Sequence, residues 1–241
     1  MPEPSGVPTL GLIAPPGARP SRARVATVAL LALAAFVIAA GIDLFGPRRV
    51  DIRAFDSREV ARLDTEMWRS YYDKKPVALF FQLAELMRRQ FHFPLLRSYV
   101  AAFYAAKAAF VFKGGHARPD YEKALPDIER YYASIARLST TRFDVKRTSQ
   151  KELEWWIVHR ERQRHPPGDL EGTLADAASE LYRVPIGSLS DYGFWRARAM
   201  TIRDSMEEHG GVREQDWRTI DDELQTSWLA LWSAVQRQRP S

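Results

Sequence analysis

The chain contains no cysteine. Disulfides, thiolate metal sites, covalent haem attachment, lipid anchoring through a modified cysteine and cysteine nucleophiles are therefore all excluded. The compartment stays open, because a cysteine-free chain suits either side of a membrane. Phosphate-cradling and nucleophile-elbow motifs are missing too: there is no Gly-x-x-x-x-Gly-Lys-Ser/Thr, no Gly-x-Gly-x-x-Gly and no Gly-x-Ser-x-Gly.

Histidine is scarce and scattered, at positions 92, 116, 159, 165 and 209. Carboxylate-bridged metal bundles use Glu-x-x-His on inward helix faces. That motif is absent, and its nearest approach, Glu161 to His165, runs into Pro166-Pro167. No metal or cofactor is expected. A strong charge of one sign is lacking as well, since 35 basic residues face 30 acidic ones, a formal net charge of +5. That excess suits an anionic membrane surface but falls short of a nucleic-acid footprint. The basic stretches Arg142–Arg147 and Arg160–His165 are short and interrupted, and read as solvated helix faces or loops.

Alternating apolar segments flanked by hairpin turns are absent, so no sheet is expected. No signature recurs at a fixed period. The helical hairpins are uneven in length, which disfavours a tetratricopeptide-like array.

One long hydrophobic run is present. Val25 to Ile42 reads VATVALLALAAFVIAAGI without a charge. At about 1.5 Å per residue it reaches about 27 Å, close to the hydrocarbon thickness of a bilayer. A helix is required there, because lipid offers the backbone no hydrogen-bonding partner. A cleaved signal peptide is the competing reading, with Val37-Ile38-Ala39 and Ile38-Ala39-Ala40 as cleavage contexts. The run exceeds the usual apolar region of about 7–15 residues, which favours an anchor.

The expected division is a disordered Pro/Gly/Ser-rich tail over 1–24, a transmembrane anchor helix over 25–45, a linker over 46–55 and an all-helical soluble domain over 56–241. Three arginines (19, 22, 24) precede the run and five (48, 49, 53, 58, 62) come after it. That balance favours a cytoplasmic domain, whereas N-terminal signal anchors commonly export the domain C-terminal to them. We read the domain as exported. The excess of Arg over Lys and the abundant Ala resemble a GC-rich bacterial genome, which makes a bacterial inner membrane the expected location.

In the domain, proline, glycine and capping residues mark about eight mostly antiparallel helices joined by short loops. Asp56-Ser-Arg-Glu59 opens the first with a capping box, and its apolar stripe is Val60, Leu63, Met67 and Tyr71. Pro76 starts a second and Pro94 a third, which Gly114-Gly115 closes. Pro119 opens a fourth that restarts at Pro126, and Ser149-Gln-Lys-Glu152 caps the next. Further helices run from about Asp169 to Arg183, Ser190 to Glu208 and Glu214 to Gln236. The last carries the stripe Trp217, Ile220, Leu224, Trp228, Leu231 and Val235.

The Pro94–Phe112 helix is apolar nearly all round, and this predicts a central position. Its charges, Arg97 and Lys107, fall with Tyr104 within about an 80° sector. Glu154 lies among apolar positions in Leu-Glu-Trp-Trp-Ile-Val. An internal ligand site of Arg97, Tyr104, Lys107 and Glu154 is one expectation, with Lys107 paired to Glu154. A stripe reaching solvent through the Lys stem is the plainer alternative.

Without a catalytic motif, the functional expectation is a non-enzymatic interaction or scaffold module, tethered by residues 25–42 and meeting a protein partner at the bilayer. A small-molecule-binding or enzymatic bundle is the alternative.

Overall fold

Proline and glycine decide where most of the helices begin and end. The computed structural model describes residues 22–238, so the expected tail lies outside the described residues apart from its last three positions. The chain divides into two compact units, Met1–Ile42 and Asp43–Ser241. In the first, α1 (Arg22–Phe45) begins and carries the apolar run. From Arg24 to Phe45 it is long and apolar enough to cross a membrane, and its most apolar stretch is unburied.

The second unit is all-helical, and no strand occurs among the described residues. It contains α2 (Ser57–Tyr72), α3 (Pro76–Phe91), α4 (Leu95–Lys113), the single turn α5 (Arg118–Tyr121), α6 (Leu125–Leu138), α7 (Val145–Arg160), α8 (Asp169–Tyr182), α9 (Ser190–Glu208) and α10 (Glu214–Arg237). Leaving α5 aside, each helix packs on the next in sequence, and α10 packs back on α2 to close the circuit.

Local chemistry explains most boundaries. Asp56 caps α2 by accepting from the backbone of Arg58 and Glu59. Pro76 occupies the first turn of α3, and left-handed His92 ends that helix. Gly210 and Gly211, both at positive φ, separate α9 from α10. The start of α7 corrects an expectation. Asp144, not Ser149, caps the helix by accepting from Arg147 N at 3.0 Å, so α7 begins five residues early. Ser149 bonds back to the Val145 carbonyl inside the helix.

One hydrophobic core serves this unit. The α10 stripe of Trp217, Ile220, Leu224, Trp228, Leu231 and Val235 is buried throughout, as its periodicity predicts. The stretch expected as a linker is packed instead. Ile52 and Phe55 are buried, and Arg53 donates to the carbonyls of Tyr182 and Arg183. Val50 forms an isolated parallel bridge to Ser139. Two apolar residues in this short segment are enough to draw it into the core.

Two further corrections concern which face is inside. Tyr71, expected in the α2 stripe, is exposed with the Lys113 ammonium 5.9 Å from its ring centroid. The helix α4 is peripheral rather than central. It buries only Ser98, Ala101, Ala102 and Ala108 and turns Leu95, Val100, Phe103 and Phe110 outward. Small residues allow close helix packing, so the alanine face is the one that docks on α3 and α6.

Candidate functional site

The four residues singled out by sequence do not converge. Arg97 is held at the start of α4, where its side chain donates to the carbonyls of Asp43 and Gly46. The Asp43 carboxylate accepts from the backbone N–H groups of Leu96 and Arg97 at 2.9 and 3.2 Å. It caps α4, whose own N-cap residue, Pro94, has no side-chain acceptor.

Tyr104 and Lys107 share a cluster about two to three turns further along α4. Lys107 Nζ lies 3.0 Å from Asp127, with side-chain exposures of 46% and 6% respectively. Arg130 joins Asp127 at 2.9 Å and places its guanidinium 5.7 Å from the Tyr104 ring centroid. The buried carboxylate is thus neutralised by two cations whose stems run to the surface.

Glu154 is elsewhere, which corrects the expected Lys107–Glu154 pair. Both of its carboxylate oxygens accept from Arg118 Nη2 at 2.9 Å. On a helical projection Glu154 sits among apolar positions, but the neighbouring Ile157 and Val158 are buried while Glu154 borders an open groove between α7 and α8. The groove encloses about 440 Å³ and is lined by Arg147, Gln150, Lys151, Glu154, Thr173 and Asp176. Its charges are already engaged, with Lys151 on Asp176 and Arg147 on Glu180.

The most heavily buried charges were missed by sequence. Asp64 on α2 is 1% exposed, and its Oδ2 accepts from Arg196 Nη1 at 2.6 Å and from Trp228 Nε1 at 2.8 Å. The Arg196 guanidinium lies 5.6 and 5.5 Å from the Trp68 and Trp228 ring centroids. Burial alone would lower the Arg196 pKa, but the negative charge of Asp64, with Tyr192 and Glu152 near, outweighs it and holds the group above its ordinary value. A signal was present. Asp64 falls within the Val60–Leu63–Met67 stripe, and Arg196 lies four residues after buried Tyr192.

A second polar knot joins α6 to α7. Glu152 accepts from Tyr132 Oη at 2.8 Å and from Trp156 Nε1 at 3.0 Å. Burial, then the Glu152 charge, pushes the phenols of Tyr131 and Tyr132 well above their ordinary value. Burial does the same to Tyr182, whose Oη accepts from Gln90 Nε2 at 2.8 Å. On α9, Asp204 meets His159 and Arg162 at 3.1 Å and Arg203 at 3.2 Å. Burial would raise its pKa, but these partners hold it below the ordinary carboxylate value.

These knots fasten helices together. Arg196 keeps its charge and the phenols of Tyr131, Tyr132 and Tyr182 keep their protons, so neither the guanidinium nor these phenols are poised to exchange a proton near neutrality. Among the described residues, no three His, Cys, Asp or Glu side chains gather as a metal site requires.

What remains is a surface. Beyond Phe45, six of the eleven large apolar side chains exposed among the described residues lie on α3 or α4: Val77, Phe81, Leu95, Val100, Phe103 and Phe110. The Phe81 and Tyr99 ring centroids are 5.9 Å apart, joining the two helices into one face. Like α1, α4 is long and apolar enough to cross a membrane. No protein-family model, curated protein or solved structure matches this chain.

Proposed function

We propose that the chain is a membrane-tethered interaction module, in which the N-terminal helix anchors a rigid helical domain at the bilayer so that it meets other proteins there. The observation that carries this reading is the apolar length of α1 from Arg24 to Phe45, whose most apolar stretch is unburied. A bare apolar helix of that length is stable in hydrocarbon and costly in water. The remainder of the chain adds a packed domain whose buried charges are largely spent on structure. This supports a scaffold over an enzyme. An exported domain on a bacterial inner membrane is the arrangement we favour.

Proximity labelling from the full chain in its native cell tests the proposal. Reproducible neighbours should be recovered, and should be lost when residues 22–42 are replaced by a cleavable secretion signal. An identical neighbour set for the anchored and released forms would show that the tether localises nothing.

A further inference from the structure

The helix α4 is packed inside out relative to an ordinary amphipathic helix. Its buried side chains are Ser98, Ala101, Ala102 and Ala108, whereas Phe103 is 55% and Phe110 80% exposed. Soluble domains bury phenylalanine before alanine, and an aromatic face left outside marks a surface with a further neighbour.

Charge indicates what the neighbour is. Residues 76–113 hold Arg88, Arg89, Arg97, Lys107 and Lys113 against Glu85 alone, a net of +4 in a chain whose total is +5. Every charge on α4 is positive. Lysine is otherwise sparse, with seven in the chain, yet four of them (74, 75, 107 and 113) lie on or beside this hairpin. Lys113 sits over Tyr71, at the α2–α3 turn whose backbone also carries Lys74 and Lys75, the latter paired with Asp73 at 2.8 Å.

Connectivity adds a third observation. Asp43 comes directly after the apolar run, and its carboxylate holds the first turn of α4. The residue that caps α4 is therefore the chain neighbour of Ile42, where the apolar run ends.

We infer that the exposed α3–α4 face is a second membrane contact, lying in the interfacial zone of an anionic bilayer. Val100, Phe103 and Phe110 enter the acyl boundary, and Lys113 reaches lipid phosphates while Lys107 stays on Asp127. Apolar burial and electrostatic attraction are the two terms that bind interfacial helices, and this face offers both. The inference rests on the tether proposed above and goes beyond it, because a second contact fixes which side of the domain faces away from the membrane.

The absence of native cysteine makes the test direct. Val100→Cys, Phe103→Cys and Phe110→Cys probe the face, Arg218→Cys an exposed position on α10, and Leu33→Cys the apolar run. Each full-length variant is nitroxide-labelled and reconstituted into vesicles of phosphatidylcholine and phosphatidylglycerol. Collisions with oxygen report hydrocarbon, and collisions with a water-soluble nickel chelate report solvent. The ratio of oxygen to nickel access should rise several-fold at 100, 103 and 110 over that at 218, and should fall in phosphatidylcholine alone. Nickel access at all three face positions, with residue 33 shielded, overturns the docking and leaves the tether. Nickel access at residue 33 as well overturns the tether itself. Shielding of the face from both probes means that protein covers it, either a second copy or another part of the chain, and overturns the inference. Equal ratios with and without phosphatidylglycerol overturn its anionic part.

Discussion

At the scale of single residues, charge placement separates what matters to stability from what does not. Asp64 and Arg196 form a nearly solvent-free pair between two tryptophans. Removing one member leaves the other buried and unpaired, typically costing about 3–5 kcal/mol. Asp64→Ala should therefore lower stability by that order in denaturant titrations of the full chain in detergent, and adding Arg196→Met should restore part of it. If Asp64→Ala alone costs under about 1 kcal/mol, the pair carries no such role. Lys107 lies at the other extreme. It is half exposed, and Asp127 keeps Arg130 when Lys107 is removed. Lys107→Ala should cost only about 0–1 kcal/mol. Because Glu154 binds Arg118 instead, Lys107→Ala and Glu154→Ala should add within about 0.5 kcal/mol in a double-mutant cycle. A larger coupling would place the two in contact.

At the scale of helices, start and stop signals were legible, and the choice of inward face was legible only in part. Pro76, Asp56 and Gly210-Gly211 act through local backbone chemistry, which a sequence displays directly. The α10 stripe is legible because polar residues fill most of its other face, Leu229 and Trp232 excepted. On α4 apolar residues lie all round, so periodicity could not show that Ala101, Ala102 and Ala108 would dock while Phe103 and Phe110 face out. The partners of Lys107, Glu154 and Asp64 depend on helices that arrive 20, 36 and 132 residues away along the chain, a relation that spacing within one helix does not contain. One contact of this kind gives a clear test. A Cβ at Gly193 on α9 would clash with the backbone carbonyl of Glu171 on α8. Alanine is the better helix former by about 1 kcal/mol, yet overpacking against a backbone typically costs about 1–3. Packing should win, because a carbonyl held within α8 cannot swing aside. Gly193→Ala should lower the thermal midpoint, and a raised midpoint would show that α8 and α9 move apart at little cost.

At the scale of the whole molecule, the question is whether the chain keeps its N-terminal helix. Arg24 to Phe45 passes the length and apolarity test for a span, and a signal sequence near an N-terminus would pass the same test. The two outcomes differ in mass and in partitioning. If signal peptidase cleaves near Ala40, the product starts close to Asp43, retains that cap for α4 and leaves the membrane in carbonate wash. If the helix is retained, the full 241 residues stay in the pellet at high pH and high salt, because apolar burial does not respond to ionic strength. Retention is expected, since the apolar run is longer than the segment signal peptidase usually accepts. Intact mass measured on the carbonate-resistant pellet decides between them, and a soluble species beginning near residue 40 would count against the anchor. The same fractionation bears on the α3–α4 face. A cleaved product held only by that face would be released by salt or carbonate, since interfacial attachment with an electrostatic share weakens when lipid charge is screened.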